Sequence, residues 1–369
     1  MSSSIPTALS SVLMACLLAT SAQAAPRYTV TVLNPGGVNV AWPYGINDGG
    51  QAVGEVTSTD PHRAFLYENG RPMRDLGSLS PNRDSGASAI NAHGQIAGYS
   101  EDAAGGAHAV LFAGDGSIED LGMLGGSTYA YGINDLGQVV GQGVTPGGHV
   151  EHAFLYTPQQ GMQDLGALGG GTSTATAINN AGTVVGYADY PNPHGAIHAF
   201  RYTAAGGMRD LGTLGGQHSY AYGINAAGQV VGYSEFNPTS IDRRAVLWKS
   251  DGSVTDLGAS VPWSEARAIN DAGLVVGSAD VGASDYHAVL WDGSVMYDLN
   301  DLVDLPSGWY MVVAHDINSS GQIVANGISP GYPYASAFLL TPGPDPATLM
   351  LLSAGLLGLL SGRRRSGRV

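Results

Sequence analysis

The chain has 369 residues, of which 55 are glycine and only 12% are charged, and its formal net charge is −15. Glycine follows no Gly-X-Y period, which excludes collagen, and so few charges argue against a charge-driven disordered chain. Residues 25–341 carry 29 of the 30 acidic and 11 of the 15 basic side chains, a net charge of −18, so we expect no nucleic-acid binding.

The first 24 residues predict a secretory signal peptide. An apolar run, Val12–Ala19, precedes an A-x-A site for signal peptidase formed by Ala22 and Ala24, and we expect cleavage after Ala24. Leu13–Cys16 loosely resembles a lipoprotein box, so lipidation of Cys16 is the alternative. Cys16 is the only cysteine, so the exported body contains no disulfide bond.

Residues 25–341 contain seven copies of one segment. The pattern I-N-x-x-G-x-[VAI]-[VA]-G recurs at steps of 43 to 48 residues, and only the last copy departs from it, with Ala325 as its final residue. Its asparagines are Asn47, Asn91, Asn134, Asn179, Asn225, Asn270 and Asn318. Asn suits the first position of a type I turn and Gly the fourth, where φ is positive. Each motif therefore predicts a hairpin turn, and we assign the asparagines a structural role in the repeat.

Each copy also contains four short pieces rich in β-branched and aromatic residues, which predict four strands. In the third copy they are Glu119–Gly122, Tyr129–Asn134, Gln138–Gly141 and His152–Tyr156. Four strands per repeat of this length match one blade of a β-propeller. We therefore predict an all-β, seven-bladed β-propeller of four-stranded antiparallel blades, with an open β-solenoid as the alternative.

The two ends of this region predict how the ring closes. The last copy ends at Ala337–Leu340 and lacks a following Asp-Leu-Gly strand, whereas Tyr28–Leu33 stands before the first copy, where such a strand belongs. We expect Tyr28–Leu33 to complete the seventh blade, because a closed ring leaves no open ends.

Small residues recur before each Ile-Asn pair. Alanine lies three positions before the isoleucine in copies two to seven, and glycine or alanine lies one position before it in copies one to six. Small residues at alternate positions indicate one crowded strand face, where sheets pack tightly near a common axis.

The residues that carry this repeat resemble the HAF-repeat family of extracellular proteins. Copies three to five are the most similar, for example at Met162–Gly170, Ala177–Gly182, Val184–Tyr187 and His198–Phe200. The resemblance spans nearly the whole of residues 25–341. It implies an extracellular location and a repeat architecture, and it implies no biochemical activity.

A histidine and an aspartate also recur with the repeat. The histidines are His108, His152, His198 and His287, and the aspartates are Asp75, Asp120, Asp164, Asp210, Asp256 and Asp298. Catalysis or metal binding needs one convergent, asymmetric set of side chains, whereas these positions repeat around the ring. We expect each histidine to bond a polar group of its own blade and each aspartate to serve a turn or packing role. We predict no metal or other cofactor.

The last 28 residues predict a short membrane tail. Residues 342–346 are proline-rich, residues 347–361 form an apolar transmembrane helix, and residues 363–369 are arginine-rich, with Arg363, Arg364 and Arg365 as the membrane stop. This order resembles the PEP-CTERM sorting signal of Gram-negative bacteria, with Pro344, Asp345 and Pro346 standing for Pro-Glu-Pro. The resemblance implies a transient inner-membrane anchor that an exosortase cleaves. An ordinary C-terminal anchor is the alternative.

The chain carries no G-x-S-x-G, H-E-x-x-H, P-loop or C-x-x-C motif. We therefore predict a non-enzymatic cell-surface or extracellular-matrix protein that is structural or binds a glycan, namely the exopolysaccharide of the producing cell's biofilm. Its processing partners are signal peptidase and the exosortase. The alternative is an extracellular polysaccharide lyase or hydrolase with His, Tyr, Arg and Asp at one mouth of the ring. We interpret the loop aromatics Tyr190, Phe236, Trp263 and Trp309 as blade packing rather than sugar contacts.

Overall fold

The computed structural model describes residues 27–33, 40–68, 70–148, 150–169, 171–192, 195–239, 242–282, 285–330 and 332–343. Its compact unit runs from Tyr28 to Pro342. The predicted signal peptide with Ala22 and Ala24, the motif Pro344–Pro346, the apolar segment 347–361 and the arginines 363–365 lie outside the described residues. Among the residues that the structure describes, no helix is both long and apolar enough to cross a membrane.

The strands form seven four-stranded antiparallel sheets, each of which is one blade. The innermost strands are β2 (Ala41–Ile46), β6 (Ser85–Ile90), β10 (Thr128–Ile133), β14 (Ser173–Ile178), β18 (Ser219–Ile224), β22 (Ser264–Ile269) and β26 (Tyr310–Ile317). The second strands are β3 (Ala52–Val56), β7 (Ile96–Glu101), β11 (Val139–Val144), β15 (Val184–Asp189), β19 (Val230–Glu235), β23 (Val275–Asp280) and β27 (Ile323–Ser329).

The outer half of each blade has the same order. The third strands are β4 (Arg63–Tyr67), β8 (Ala107–Phe112), β12 (Glu151–Thr157), β16 (Ile197–Thr203), β20 (Arg243–Trp248), β24 (Tyr286–Asp292) and β28 (Tyr332–Pro342). The outermost strands are β5 (Arg74–Asp75), β9 (Ile118–Gly122), β13 (Gly161–Asp164), β17 (Gly207–Asp210), β21 (Val254–Asp256), β25 (Val295–Asp298) and β1 (Tyr28–Val32). A short 3-10 helix, Leu299–Leu302, follows β25.

Strand β1 closes the ring. It pairs antiparallel with β28, with Tyr28 opposite Pro342 and Val32 opposite Phe338. The N–H of Leu33 then donates to the carbonyl of Ala337 at 2.9 Å. The first strand of the chain and its last three strands therefore share one blade. This confirms the predicted seven-bladed propeller and its closure, and it excludes the open solenoid.

The hydrophobic core lies between neighbouring blades rather than inside any one of them. The cluster at the junction of blades three and four, for example, combines Val140 and Leu155 with Ile178, Val184 and Phe200. Each of the seven clusters in the described residues joins two neighbours in this way. A single blade cannot bury its apolar surface alone, so the ring is stable only when its blades are stacked side by side.

The Asn-x-x-Gly turn joins the first two strands of each blade. In blade three the N–H of Gly137 donates to the Asn134 carbonyl at 3.1 Å, and Gly137 has a φ of +71°. The side-chain Oδ1 of Asn134 accepts the N–H groups of Leu136 and Gln138 at 3.1 and 3.0 Å. A glycine relieves the strain of this left-handed position, and the asparagine satisfies turn donors that would otherwise be unpaired.

The seven asparagines also form a closed circuit of hydrogen bonds around the channel. The Nδ2 of each donates to the main-chain carbonyl of the asparagine in the next blade, at 3.0 to 3.2 Å, and Asn318 returns to Asn47. All seven side chains are buried. Each asparagine therefore serves its own turn and also holds the neighbouring blade.

Loss of one of these side chains should weaken the whole ring. Asn134→Ala removes the bond to the Asn179 carbonyl and leaves buried turn groups without a partner. We expect the free energy of unfolding to fall by about 2 to 3 kcal/mol in equilibrium urea denaturation. The control is Leu136→Ala in the same turn, because Leu136 is 63% exposed. Equal stability of the two variants would contradict the structural role of the asparagine.

Candidate functional site

Two cavities lie along the axis of the ring, with volumes of about 240 and 210 Å³. The isoleucines of the Ile-Asn pairs line both of them, namely Ile90, Ile133, Ile178, Ile224 and Ile269. These five side chains form an apolar belt between the two cavities, which we call the isoleucine belt. Each cavity opens at one end of the channel, and we call this opening a mouth. Each mouth is a separate candidate site.

The larger cavity is lined by the isoleucine and the asparagine of each copy and by the residue that follows the asparagine, which differs between copies. We call it the asparagine mouth, after the seven asparagines of the circuit. Its aspartate carboxylates accept main-chain N–H groups of the neighbouring blades. Asp135 accepts the N–H of Ala92 at 2.9 Å, and Asp271 accepts that of Ala226 at 2.8 Å. The polar groups here bond neighbouring blades to one another, so we assign this mouth a structural role.

The smaller cavity is lined by one variable residue from each blade, and we call it the tyrosine mouth. The seven residues are Tyr44, Ser88, Tyr131, Thr176, Tyr222, Arg267 and His315. Each lies two positions before the isoleucine of its copy. Because they differ in size, charge and hydrogen-bonding groups, this mouth is asymmetric. It is the best candidate for a functional site.

A β-bulge in each innermost strand places these residues. In blade three the register with β11 steps from Ala130 to Gly132 and omits Tyr131. The same interruption occurs in every blade. A bulge leaves its extra residue out of the strand pairing and redirects the side chain. Tyr131 and its six equivalents therefore line the channel.

The small residues on either side of the bulge explain why the blades can pack this closely. Ala130 is fully buried, and a Cβ on Gly132 would lie 3.1 Å from the Cα of Ala177 in the next blade. The predicted crowded face is therefore confirmed. The variable residue between two small ones was the sequence signal for this mouth, and our reading of the sequence missed it.

The tyrosines of this mouth stay neutral at physiological pH. Burial raises the pKa of Tyr44 to about 12 and raises the pKa values of Tyr131 and Tyr222 further still. Their hydroxyl groups therefore keep their protons, and Tyr44 remains 37% exposed. Neutral tyrosines offer a ligand both an aromatic face and a hydrogen-bond donor.

His315 is held as a neutral imidazole. Its Nε2 lies 2.5 Å from Oδ1 of Asn326, and Tyr44 approaches it edge-on with ring centroids 5.7 Å apart. Burial, together with the charge of Arg267, lowers the pKa of His315 to about 4. Arg267 is therefore the only permanent positive charge among the seven residues of the tyrosine mouth.

Asp316 stands where the other six blades have glycine or alanine. Its Oδ2 accepts the N–H of Ile46 in the first blade at 2.9 Å, and its Oδ1 accepts the N–H of Ile317 at 2.9 Å. Burial, with a smaller contribution from Asp48, raises the pKa of Asp316 to about 7. Asp316 thus links the last blade to the first at the point where the ring closes.

The raised pKa of Asp316 predicts that its contribution to stability falls as pH rises. The folded chain binds this proton more tightly than the unfolded chain, whose aspartates titrate near pH ~4. The contribution is therefore full below that pH and is lost toward pH 7, with a slope of at most about 1.4 kcal/mol per pH unit. We expect Asp316→Asn to remove this slope when unfolding free energies are measured from pH 4 to 8. Parallel curves for the two proteins would refute the assignment.

Aromatic and arginine side chains form a cluster beside the tyrosine mouth, in blades five and six. Tyr220 stacks on Tyr233, with ring centroids 4.7 Å apart. The guanidinium of Arg243 lies between two rings, 4.6 Å from Tyr233 and 4.5 Å from Trp263. Tyr222 connects this cluster to the mouth, because its ring lies 5.9 Å from that of Tyr233.

The other loop aromatics pack against their own blades, as we interpreted them. Tyr190 stacks on His198 at 4.1 Å, and Phe236 lies 3.7 Å from the guanidinium of Arg244. Trp309 packs against the core between blades six and seven. Trp263 differs from these three, since it belongs to the cluster beside the mouth.

The recurring histidines and aspartates pair with each other. In blade three Nδ1 of His152 lies 2.9 Å from the Asp164 carboxylate, which also accepts the N–H of Gly166 at 2.7 Å. The same pairing is found for His108–Asp120, His198–Asp210 and His287–Asp298, and Arg244–Asp256 replaces it in blade five. This confirms a role within the blade for both residues. In the described ranges, no three metal-ligating side chains come together.

Comparison with known proteins supports the fold and gives no family. No protein-family model and no curated protein matches the sequence. The β-propeller domain of the trilobed protease from Pyrococcus furiosus is similar in structure, with a TM-score of 0.56 and 9% identity over 82% of this chain and 93% of that one. Virginiamycin B lyase from Staphylococcus aureus has a TM-score of 0.56 and 14% identity over 85% of this chain and 99% of its own.

A third similar structure is larger than this chain. Acylaminoacyl peptidase from Pyrococcus horikoshii has a TM-score of 0.53 and 10% identity, and 85% of this chain is covered. The chain spans 54% of that peptidase. Identities this low show a shared propeller fold and transfer no activity.

Proposed function

We propose that this chain is an exported surface or matrix propeller that binds glycan chains at the tyrosine mouth, without catalysing a reaction. The observation that carries the proposal is the convergence of seven bulge residues of five kinds, three of them tyrosines, at one end of the channel. Neutral tyrosines present flat apolar faces on which sugar rings stack, and their hydroxyls can donate to sugar oxygens.

The size of the cavity limits what it encloses. At about 210 Å³ it is smaller than the roughly 300–1,000 Å³ of pockets that enclose drug-sized ligands. Isoleucine side chains line its inner end. The mouth therefore takes a single sugar ring, either a chain end or a branch, while neighbouring sugars lie over the aromatic cluster of blades five and six.

Export and sorting form the second part of the proposal, and the terminal segments support it. We propose cleavage by signal peptidase after Ala24, transient anchoring by residues 347–361, and exosortase processing at Pro344–Pro346. The producing Gram-negative cell would then hold the protein at its surface or in its exopolysaccharide. Mass spectrometry of the protein recovered from such cells tests this: a mature chain that keeps residues 1–24 or the arginines 363–365 would refute the processing.

Two tyrosine substitutions test glycan binding directly. Tyr44→Ala and Tyr222→Ala should each weaken binding about tenfold or more, because Tyr44 offers an exposed stacking surface and the ring of Tyr222 lies against the Arg267 guanidinium, 4.9 Å away. An array of bacterial oligosaccharides identifies the bound sugars, and titration calorimetry gives the affinities. Tyr190→Ala is the control, since Tyr190 stacks on His198 in an outer loop. Unchanged affinity in both mouth variants would refute the site.

The convergence of His315, Arg267 and Tyr44 favours a second candidate, a polysaccharide lyase or hydrolase. A neutral imidazole can accept a proton, and an arginine can stabilise developing negative charge. The raised pKa of Tyr44, about 12, keeps this tyrosine protonated at neutral pH, and the lowered pKa of His315, about 4, makes its imidazole a weak base. Both favour binding over catalysis. Incubation with acidic and neutral polysaccharides distinguishes the two: new reducing or unsaturated ends that disappear with His315→Gln would establish the enzyme.

A further inference from the structure

Arg267 is anchored on one side and accessible on the other. Its Nε donates to Oε1 of Glu265 at 2.7 Å, and its Nη2 donates to the same oxygen. Glu265 is only 3% exposed, whereas the side chain of Arg267 is 35% exposed. Within the described part of the chain, Nη1 has no hydrogen-bond acceptor. Two of the three guanidinium nitrogens are thus held by Glu265, and the residue lines the mouth.

The charges around Arg267 leave a local excess of one positive charge. Arg243 shares the same carboxylate, with its Nη2 3.5 Å from Oε2 of Glu265. Two guanidinium groups therefore face one carboxylate, within a body whose net charge is −18. Arg243 is itself held between two aromatic rings, so it cannot leave this position without losing their contacts.

The neighbouring carboxyl groups bond other partners than Arg267. Both oxygens of Asp316 accept main-chain N–H groups, and burial raises its pKa to about 7. Glu55 is bonded by Tyr99 and His62 at 3.1 and 2.8 Å. Burial also raises the pKa of Glu55. Neither of these two carboxyl groups is bonded to Arg267 among the described residues, so its Nη1 donors are left for a ligand.

We propose that the tyrosine mouth recognises a uronic acid residue, whose carboxylate binds the free end of the Arg267 guanidinium. This rests on the proposed glycan binding and names the class of sugar. A single excess positive charge matches the single negative charge of a carboxylate, and arginine presents a planar donor edge suited to that group. The same guanidinium lies over the ring of Tyr222, with its Cζ 4.9 Å from the ring centroid.

The test uses matched pairs of ligands. Oligosaccharides of glucuronate, galacturonate and mannuronate are titrated into the full chain beside their carboxyl-reduced counterparts, which differ only in the acid group. We expect at least one uronate to bind about tenfold to a hundredfold more tightly than its reduced counterpart. The preference should fall as salt is raised.

Three variants test whether Arg267 causes the preference for the uronate over its reduced counterpart. Arg267→Gln should reduce the preference to less than about twofold, and Arg267→Lys should retain part of it because it keeps the charge. Arg209→Gln is the control, because Arg209 is an exposed arginine of an outermost strand and should retain the full preference. Circular dichroism and thermal melts check that each variant is folded, and the comparison of ligand pairs on the natural chain needs no variant.

The outcomes separate this inference from the proposed function. Equal affinity for acid and reduced ligands, or a preference that survives in Arg267→Gln, would overturn the carboxylate subsite and leave glycan binding standing. Binding of neutral glycans alone would likewise overturn the carboxylate subsite and leave glycan binding standing. Failure of every oligosaccharide in the panel and the array to bind would contradict both proposals.

Discussion

Deletion of Tyr28–Leu33 should abolish cooperative folding of the propeller at room temperature. The strand supplies the outer edge of the seventh blade, and it buries Tyr28 and Leu33 against that blade. Each such side chain contributes roughly 1.5 to 3 kcal/mol, and each strand hydrogen bond adds about 1 kcal/mol. The expected loss is therefore on the order of 5 kcal/mol or more, which matches the whole stability of many domains.

The control for this deletion moves the strand instead of removing it. Tyr28 lies directly opposite Pro342, so a two-residue Asn-Gly turn after Pro342 can lead back into residues 28–33 as a hairpin. This permuted chain should regain a single unfolding transition in urea, followed by circular dichroism and tyrosine fluorescence. A deletion variant as stable as the natural chain would show that closure by β1 is unimportant.

The second large effect is expected at the glycine of the Val-Val-Gly motif in the second strand of a blade, for example Gly141 in β11. A Cβ on Gly141 would lie 1.9 Å from the main-chain carbonyl oxygen of Tyr129, on the neighbouring strand. No rotamer change relieves a contact between two backbones, so Gly141→Ala must displace a strand that also carries the bulge. We expect it to lower the free energy of unfolding by about 3 kcal/mol or more in urea denaturation.

An exposed glycine provides the matched control for this substitution. Gly114 lies in a surface turn, where an added Cβ would meet no other atom within 4 Å. Gly114→Ala should therefore change stability by less than about 0.5 kcal/mol. If Gly141→Ala were equally mild, the close approach of the two strands would be wrong.

The seventh blade shows how a departure from the repeat is accommodated. Ala325 stands at the end of its Ile-Val strand motif, where the other copies have glycine. Strand β26 has a second bulge between Met311 and Val313, and the close backbone contact moves to Gly327, whose Cβ would lie 2.1 Å from the Tyr310 carbonyl oxygen. In this blade the glycine therefore lies opposite the second bulge, and an alanine lies opposite the regular one.

The repeat made most of the fold predictable from the sequence. The seven Ile-Asn pairs predicted the number of blades, because they repeat at a regular spacing. The strand-forming residues of Tyr28–Leu33, placed before the first copy, predicted the closing strand. The second bulge of β26 and the 3-10 helix Leu299–Leu302 were not predicted. Both lie in the copies that drift most from the pattern, where no neighbouring copy indicates the local geometry.

The candidate site was less accessible to sequence reasoning. The direction in which Tyr131 or Arg267 points depends on a bulge, and a bulge has no residue signature of its own. The hydrogen bond from Asn318 to Asn47 joins residues 271 positions apart, so the circuit of asparagines emerges only when the ring closes. In hindsight the variable position between two small residues marks the mouth, because only a residue that leaves the crowded face can vary there.

A crystal structure of the chain bound to the tightest oligosaccharide from the titrations is the most direct test of the tyrosine mouth. We predict one sugar ring within van der Waals contact of Tyr44 or Tyr222, on the bulge side of the isoleucine belt. A sugar seated at the asparagine mouth or on an outer strand, with the seven bulge residues untouched, would contradict the assignment.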